Sequence, residues 1–477
     1  MRPTRLALAL AVLAAPGVRA QRSPGPALLV APVHYDLALR VDYDSEQLHG
    51  DVALTVRSFG LRPLTEVPLV LYRLLRVASV ADGRGTPLRF TQEVVGQSDE
   101  PTVQVNAVRV RLARPLRPGD TTTVHIAYGG YLLGYAETGM LYQQDRIDTT
   151  FTILRQDPFA YPQVALPSRT LGWTGAPPDF TYEARITVPE RLTVANGGVL
   201  VARRVDGGKA TYTYRSAVPS WRMDFAIARY AILAQGQTRV FHFPQDSAGA
   251  VGVARAVADA LRLYTASFGP LQGPPAFTVI EVPDGWGSQK DAATIIQSAA
   301  AFRDSTRYRE VYHEVAHLWG VVSRDSVSPR WDEGLATFLE YRTLGELSGR
   351  PVLRERAAAV AESIRRRFRE QPPLAGTPLA AYGRAGLTDL SYSVGMLMFY
   401  VLDGVVGRER FDRIVGGYYQ RYTATGATTD DFVAYARSVG GPEIDRFFHD
   451  WLFTAAWYDR VRDGADPEAL VRAYAAH

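Results

Sequence analysis

The hydrophobic pattern of this chain changes its period near residue 235, and that change limits the folds open to it. Residues 33–234 alternate polar and apolar side chains in short runs, as at 181–188, and Gly, Pro and Asp turns separate the runs. This alternation is typical of strands with one solvent-facing side. Apolar residues then recur at helical spacing, as at 247–268 before a stop at Gly269-Pro270. The sequence therefore predicts a multidomain protein in which an all-β part precedes a mostly helical part.

The length of the chain also favours two domains. At 477 residues it exceeds the size of one ordinary hydrophobic core. We place the boundary within 235–245, which gives an N-terminal β-domain at 21–238 and a second domain at 239–477. A buried strand is predicted at 276–282, and helices are predicted at 306–319, 332–347, 351–369, 388–402, 407–422, 430–439 and 442–453.

The first twenty residues have the features of a secretory signal peptide. Arg2 and Arg5 precede an apolar stretch at 6–15, and small residues at 18–20 form a cleavage site. The protein is therefore expected to be exported, to the periplasm or the extracellular space, with an uncleaved signal anchor as the alternative. Cleavage would remove three arginines from a formal net charge of +4, so a general affinity for nucleic acid is not indicated.

Two further absences narrow the function classes. The chain contains no cysteine, so neither disulfides nor thiolate metal ligands are available to it. No stretch after the signal has the apolar length that a membrane-spanning helix needs. A metal site in this chain must therefore use histidine and carboxylate side chains, and no pattern indicates an oligomeric state.

A candidate metal site lies in the predicted helix at 306–319. His313, Glu314 and His317 form an H-E-x-x-H motif, in which the i, i+4 spacing puts both imidazoles on one face of the helix. Glu314 is then placed to act as a general base toward a water molecule at the metal. The alternative, an exposed helix with incidental histidines, is disfavoured because Val311 and Val315 would bury this helix.

Glu333 is the candidate third ligand. Ser323 stands where a third histidine of the pattern H-E-x-x-H-x-x-G-x-x-H would lie, so that pattern is excluded. Glu333 opens the next predicted helix, and 15 residues separate it from His317, enough chain to return a carboxylate to the same ion. Glu340 is a weaker candidate on the same helix. Three protein ligands leave the fourth position of one zinc ion open, as a catalytic site requires.

With these residues in place, the chain resembles the M1 family of zinc aminopeptidases over most of its mature length. Segments 34–39, 48–52 and 187–190 are similar to strands of that family's saddle-shaped β-domain, and 430–432 and 445–452 resemble the end of its thermolysin-like catalytic domain. The resemblance implies a saddle-like β-domain followed by a thermolysin-like α+β domain. It also implies that the family's large C-terminal helical domain is missing.

The resemblance extends to residues that would handle the substrate. Tyr392 matches the tyrosine that stabilises the oxyanion in the family, although Val394 replaces the lysine of its Y-x-K-G motif. The family's G-A-M-E-N-W-G motif corresponds to a segment in which Asp284 replaces the amine-binding glutamate. Gln156 is a hypothesis for the glutamine with which the family's β-domain contributes to amine binding. The remaining substrate-binding residues implied by the motif are Gly285, Trp286 and Gly287.

These observations lead to a functional hypothesis with two alternatives. The sequence favours a zinc metallopeptidase that removes N-terminal amino acids from peptides. A metallo-endopeptidase on the same scaffold is the first alternative, because Asp284 is one methylene shorter than the family's glutamate. A non-catalytic, zinc-stabilised binding protein is the second, and Glu314 argues against it because a structural site has no use for a base.

Overall fold

The computed structural model describes residues 28–173, 177–273, 277–291 and 294–475. The predicted signal peptide at 1–20 lies outside this part of the chain. Within it, no helix combines the length and the apolar character needed to cross a membrane.

Nineteen strands are found in the described residues, and fourteen of them precede residue 230. Their bounds are β1 Val30–Asp42, β2 Gln47–Ser58, β3 Leu64–Tyr72, β4 Leu75–Asp82, β5 Phe90–Gly96, β6 Gln104–Leu116, β7 Thr121–Tyr131, β8 Phe151–Leu154, β9 Gln163–Val164, β10 Thr181–Pro189, β11 Thr193–Ala195, β12 Val199–Asp206, β13 Lys209–Arg215, β14 Phe225–Ala228, β15 Ala231–Gln235, β16 Thr238–His242, β17 Phe277–Val282, β18 Gln289–Asp291 and β19 Thr294–Ser298.

The first fourteen strands form three sheets around one apolar core. A seven-stranded sheet has the order β12-β13-β10-β1-β2-β7-β4, a four-stranded sheet the order β5-β6-β3-β9, and a three-stranded sheet the order β11-β14-β8. Alternate residues of β1, such as Leu37 and Leu39, are fully buried in this core while their neighbours face outward. The alternation seen in the sequence therefore reflects sheets with one buried face. One pairing, β1 with β10, is parallel and joins segments about 150 residues apart.

The other five strands form a different sheet, of order β15-β16-β17-β19-β18. Strand β17 is buried along its whole length and pairs in parallel with β16 and β19. Strand β18 lies antiparallel at the edge of the sheet. The predicted fold class, an all-β part followed by a mostly helical α+β part, is confirmed. The domain boundary at 238/239 stays a prediction; it falls within β16.

The rest of the chain is helical and encloses a second apolar core. The helices are α1 Ser247–Phe268, α2 Ala300–Arg303, α3 Tyr308–Ala316, α4 Trp331–Ser348, α5 Val352–Glu370, α6 Tyr382–Ala385, α7 Leu390–Val406, α8 Arg408–Tyr422, α9 Thr429–Gly440, α10 Asp445–Phe448, α11 Trp457–Arg462 and α12 Pro467–Tyr474. Together with the 3-10 turns Ser305–Arg307 and His317–Trp319, they cover most of each segment in which the sequence predicts helix, except 442–453.

The segment at 442–453 is less regular than the single helix that the sequence predicts. It starts with a 3-10 turn, continues through the short α10, and ends in a π-helical turn at His449–Phe453. There the backbone N–H of Thr454 donates to His449, five residues back, at 2.9 Å. In this arrangement Trp451 stacks on Trp457 with ring centroids 4.6 Å apart. Tertiary packing of the two indoles thus accompanies a departure from α-helical geometry that the local pattern does not signal.

A buried glutamate on β17 makes the stability of the protein depend on pH. The Glu281 side chain is fully buried, one of its oxygens accepts the Phe243 N–H at 2.6 Å, and the Asp246 carboxyl group lies close to it. Burial raises the pKa of Glu281 to about 9. Between an unfolded pKa near 4.3 and this value the folded state holds a proton that the unfolded state has released.

We therefore expect a Glu281→Gln variant to have a flatter pH profile of stability. The native protein loses the contribution of neutral Glu281 as the pH rises toward 9, at a slope of up to about 1.4 kcal/mol per pH unit, and a permanently neutral amide removes this slope. Urea unfolding at about pH 5.5 and 8.5 measures it, with the exposed Glu93→Gln as the matched control. Equal slopes in the native protein and the Glu281→Gln variant would contradict the assignment.

Candidate metal centre and active site

Three side chains that the sequence singles out as metal ligands lie together. His313 and His317 project from α3 and its 3-10 extension, and Glu333 projects from the first turn of α4. The His313 Nε2 and His317 Nε2 atoms are 3.2 Å apart, and Glu333 Oε2 lies 3.3 Å from the first and 3.2 Å from the second. All three ligand atoms lie within 4.8 Å of one another. Two imidazole nitrogens and one carboxylate oxygen in this spacing form a donor set that suits a single zinc ion.

Without a metal ion, the neighbouring charges of the site shift the pKa values of its histidine and carboxylate groups. Burial opposes a charged imidazole, but hydrogen bonds with Glu333 and Glu340 outweigh it and raise the pKa of His313 to about 10. Burial likewise opposes ionisation of Glu333, yet the two histidines hold its pKa well below the usual range. The carboxylate is therefore ionised, and the site has a net demand for positive charge that a proton or a metal ion can meet.

Glu340 contacts the far side of the first histidine. Its Oε2 lies 3.0 Å from His313 Nδ1, and its Oε1 accepts a hydrogen bond from Arg309 Nη1 at 3.0 Å. A partner on Nδ1 fixes the ring orientation and leaves Nε2 directed at Glu333. The structure thus places the weaker ligand candidate of the sequence analysis behind the ligand histidine, where it orients the ring.

Glu314 lies beside this group in a buried position. Its side chain is 8% exposed, and burial raises the pKa of its carboxyl group while the neighbouring His313 and His317 lower it. A raised pKa brings a carboxylate closer to the range in which a general base works near neutral pH. The environment of Glu314 therefore fits the role that the motif predicts for it.

Tyr392 approaches the same site from α7. Its ring stacks on the His313 imidazole with centroids 6.0 Å apart and planes 10° apart, and the side chain remains partly exposed. Burial, with the negative charge of Glu333, raises the pKa of the Tyr392 phenol, so the hydroxyl keeps its proton. A protonated phenol at the edge of the site can donate a hydrogen bond to a developing oxyanion.

A close approach of two helices sets the position of both Glu333 and Tyr392. A Cβ atom added at Gly334 of α4 would lie 2.4 Å from the Cα of Gly395 and 2.7 Å from the carbonyl oxygen of Ser391, both on α7. The Ser391 hydroxyl also donates to the Pro329 carbonyl at 2.7 Å. Because these contacts involve backbone atoms, the two helices can pack at this distance only with glycine at position 334.

A Gly334→Ala variant is therefore expected to force α4 and α7 apart. The overpacking should cost about 1–3 kcal/mol of unfolding free energy and weaken metal binding, because Glu333 moves with α4. Urea unfolding and metal content of the purified variant measure both effects. Gly345→Ala, on the same helix with its nearest atom at 3.3 Å, is the control and should change stability by less than about 1 kcal/mol. Equal effects of the two substitutions would contradict this packing argument.

The segment that resembles the amine-binding motif lies between β17 and β18. One Asp284 oxygen accepts from Arg303 Nη1 at 3.1 Å, and the other accepts from the Ser298 hydroxyl at 3.1 Å. Asp284 is therefore an exposed carboxylate that already has a cationic partner. This pair has no signature in the sequence, because Arg303 lies 19 residues away on α2 and no motif marks it.

The three residues after Asp284 have distinct structural roles. The Gly285 carbonyl accepts from Gln144 of the strand-rich part at 3.1 Å, and Gly287 adopts a left-handed φ of 72°. Trp286 is buried, with its ring 5.0 Å from that of Phe151. This segment thus contacts the strand-rich part of the molecule, while β18 and β19 on its other side pack against α3. Its role in substrate binding stays a prediction.

Gln156 lies within the strand-rich part. Its backbone carbonyl accepts from Gln163 Nε2 at 2.5 Å, and its side chain lines a small cavity together with Tyr35 and Tyr161. These neighbours belong to the core of the strand-rich part, and no contact joins Gln156 to the metal ligands among the described residues. Its role in binding the amino group of a substrate stays a hypothesis.

A buried ionic network connects the two parts of the molecule. Arg155 pairs with Asp145 at 2.6 Å, and Arg222 pairs with Asp157 at 2.7 Å, with both guanidinium groups almost fully buried. Both arginines also donate to Gln289 Oε1 on β18, at 3.3 and 3.1 Å. Arg155 lies over the ring of Trp286, 5.6 Å from its centroid. Through Gln289, the strand-rich part is thereby hydrogen-bonded to β18, the edge strand of the sheet that packs against α3.

The fold is similar to that of solved M1 zinc metallopeptidases. The Deinococcus radiodurans enzyme has a TM-score of 0.66 and 22% identity over 89% of this chain and 94% of its own. A variant of that enzyme bound to the substrate Tyr-Ser-Ala has a TM-score of 0.65 with the same identity and coverage. A two-domain M1 zinc metallopeptidase variant bound to L-arginine has a TM-score of 0.64 and 22% identity over the same shares. The chain thus has the two-domain fold of the M1 zinc metallopeptidases.

Sequence comparison gives weaker and shorter matches. No protein-family model matches the chain. A leucyl aminopeptidase of Saccharolobus solfataricus is 24% identical over 191 residues, which are 38% of this chain and 24% of the relative. Leucine aminopeptidase 2 of Ajellomyces capsulatus is 24% identical over 169 residues, or 33% of this chain and 26% of the relative. The matched region spans about a quarter of the length of these curated relatives.

Proposed function

We propose that this protein is a zinc-dependent aminopeptidase that hydrolyses the N-terminal peptide bond of peptide substrates. The observation that carries the proposal is the cluster of His313, His317 and Glu333 with Glu314 beside it and Tyr392 stacked on the first histidine. The same fold serves zinc metallopeptidases, and the curated relatives that match part of the chain are aminopeptidases.

The donor set fits one zinc ion. His313 Nε2, His317 Nε2 and Glu333 Oε2 converge, while Glu340 occupies the opposite nitrogen of His313. These three side chains would hold the ion, with Glu314 and Tyr392 next to the cluster. When bound, zinc supplies Lewis acidity, which polarises a scissile carbonyl and acidifies a water molecule.

Two residues of the chain then act on the reacting groups: one transfers the proton of the attacking water, and the other stabilises the negative charge on the carbonyl oxygen. Glu314 accepts the proton of the attacking water and returns it to the leaving amine, a transfer that its raised pKa favours. The Tyr392 hydroxyl donates a hydrogen bond to the oxygen that becomes negative, which oxyanion-hole donors typically stabilise by about 3–4 kcal/mol. Asp284 is the candidate for holding the substrate's α-ammonium group.

A metallo-endopeptidase is the second candidate, and one observation favours it. Asp284 is paired with Arg303 and Ser298, so a substrate ammonium would have to share the carboxylate with a guanidinium. Weakened amine recognition would let peptides bind through an internal segment. The two candidates share the metal, the base and the tyrosine, and differ only in what occupies the position beside Asp284.

The decisive measurement compares free and blocked substrates. The purified protein should release chromophore from unblocked aminoacyl anilides, lose this activity with a chelator, and regain it with zinc. Cleavage restricted to N-acetylated, internally quenched peptides would reverse the order of the two candidates. Inactivity toward both substrate types in the zinc-loaded protein would refute both.

We also propose that the enzyme acts outside the cytoplasm, in the periplasm or the extracellular space. Support comes from the charged, apolar and small-residue segments of 1–20. Mass spectrometry of the protein recovered from its producing cells tests this proposal: a mature N-terminus at Gln21 supports cleavage and export, and an intact Met1 in the cytosolic fraction contradicts it.

A further inference from the structure

The residue just before helix α4 has an unusual backbone conformation for its type. Arg330 lies in the left-handed region with φ 56° and ψ 34°. Residues other than glycine, asparagine and aspartate rarely adopt this conformation, and it persists only where the surrounding structure requires it. The contacts of the Arg330 side chain supply such a requirement.

The Arg330 guanidinium contacts one oxygen of the metal-ligand carboxylate. Its Nη2 is paired with Glu333 Oε1, while Glu333 Oε2 faces His313 and His317 at 3.3 and 3.2 Å. The two oxygens of Glu333 therefore have separate partners. The Glu333 side chain is almost fully buried, whereas the Arg330 side chain is about half exposed and reaches the carboxylate from the edge of the site.

A cation at this position is unfavourable for metal binding in itself. A guanidinium near a site for a divalent ion repels that ion, and a neutral residue would avoid the repulsion. A hydrogen bond to the distal oxygen offsets this cost by fixing the orientation of the carboxylate, as outer contacts of metal ligands commonly do.

We infer that Arg330 is a positioning residue that occupies Oε1 of Glu333, so that the carboxylate offers the metal a single oxygen. Without Arg330, both oxygens could bind the ion, and the second would fill the position that a water molecule needs. The inference rests on the proposed zinc site and assigns the openness of that site to a side chain outside the ligand set.

The test uses Arg330→Asn in the full-length, zinc-loaded protein. Asparagine accepts left-handed backbone, so this variant removes the guanidinium while keeping the conformation of the turn. X-ray absorption at the zinc edge should show the Glu333 carboxylate carbon closer to the ion than in the native protein, because both oxygens bind, while the number of nitrogen and oxygen neighbours stays the same as one carboxylate oxygen replaces one water. The bound zinc should be retained, and kcat should fall about 10–100-fold with a smaller change in KM.

Two further variants complete the design. Arg324→Asn removes an exposed arginine from the same loop without touching Glu333, and its zinc spectrum and kcat should match the native values. If the asparagine variant does not fold, Arg330→Gly removes the same contact, and glycine adopts the left-handed conformation without strain. Native zinc coordination in a folded Arg330→Asn or Arg330→Gly variant would overturn the inference. A native protein that binds no zinc would instead refute the proposed function on which the inference rests.

Discussion

A Glu314→Gln variant is expected to keep its zinc and lose at least about 10²–10⁴-fold in kcat on unblocked aminoacyl anilides. Glutamine is similar in size and stays neutral, so it fits the buried position but cannot accept a proton from water. The three ligand atoms come from other residues, and the metal site should therefore remain loaded. Zinc content by atomic emission and steady-state kinetics measure the two properties separately.

Glu310→Gln on the same helix is the matched control for this experiment. Glu310 pairs with Arg307 one turn before the motif and is not in contact with the ligands, so its amide variant should retain native turnover. A zinc-loaded Glu314→Gln protein with full activity would refute the proposed role of Glu314. It would do so for the aminopeptidase and the endopeptidase alike, because both use the same base.

The second large effect concerns the metal itself. A His317→Ala variant is expected to lose zinc affinity by more than about 100-fold, beyond the range typical of outer contacts, and to lose activity with it. His317 Nε2 lies 3.2 Å from both other ligand atoms, so its removal leaves only one nitrogen and one oxygen in the cluster. The chain has no cysteine that could replace it. Titration with a competing chelator measures the affinity.

His449→Ala is the control, since His449 is an exposed histidine on the π-helical turn. It should bind zinc with native stoichiometry and affinity. Removal of His317 should also lower the melting temperature of the zinc-loaded protein toward that of the metal-free protein, because binding energy contributes to folding stability. Retention of tightly bound zinc by His317→Ala would show that the ion is held elsewhere.

Local spacing explains why the metal cluster could be predicted from the sequence. His313 and His317 are one helical turn apart, and this separation alone puts their rings on one face. Glu333 opens the next helix, and the intervening loop returns it to the same face. The position of Tyr392 was suggested only through the family resemblance, since nothing local distinguishes it from the other tyrosines.

Contacts between distant segments could not be predicted in the same way. The approach of Gly334 to Gly395 depends on the packing of α4 against α7, and the Asp284–Arg303 pair depends on the position of α2 beside the end of β17. The left-handed conformation of Arg330 has no signature in a residue type that usually avoids it. Each of these features requires the tertiary structure.

In the fold as well, the sequence predicts the individual strands and helices but not the contacts between distant segments. Alternation predicts the strands of the N-terminal part because one face of each sheet is buried. It does not predict that β1 pairs in parallel with β10, a strand that begins about 150 residues later in the chain. Similarly, the helical pattern at 442–453 does not reveal the π turn that accompanies the stacking of Trp451 on Trp457.

The buried ionic network has a consequence for any attempt to isolate the half of this protein that holds the metal cluster. A fragment starting at Ala231 would keep every metal ligand but lose Arg155 and Arg222, the partners of Gln289. It would also expose Ile280, Val282 and Trp286, which share an apolar cluster with strand residues from the first half of the chain. Such a fragment would present these apolar side chains to solvent, which favours aggregation. The half that holds the metal cluster thus depends on contacts with the first half, and an engineered version should retain both.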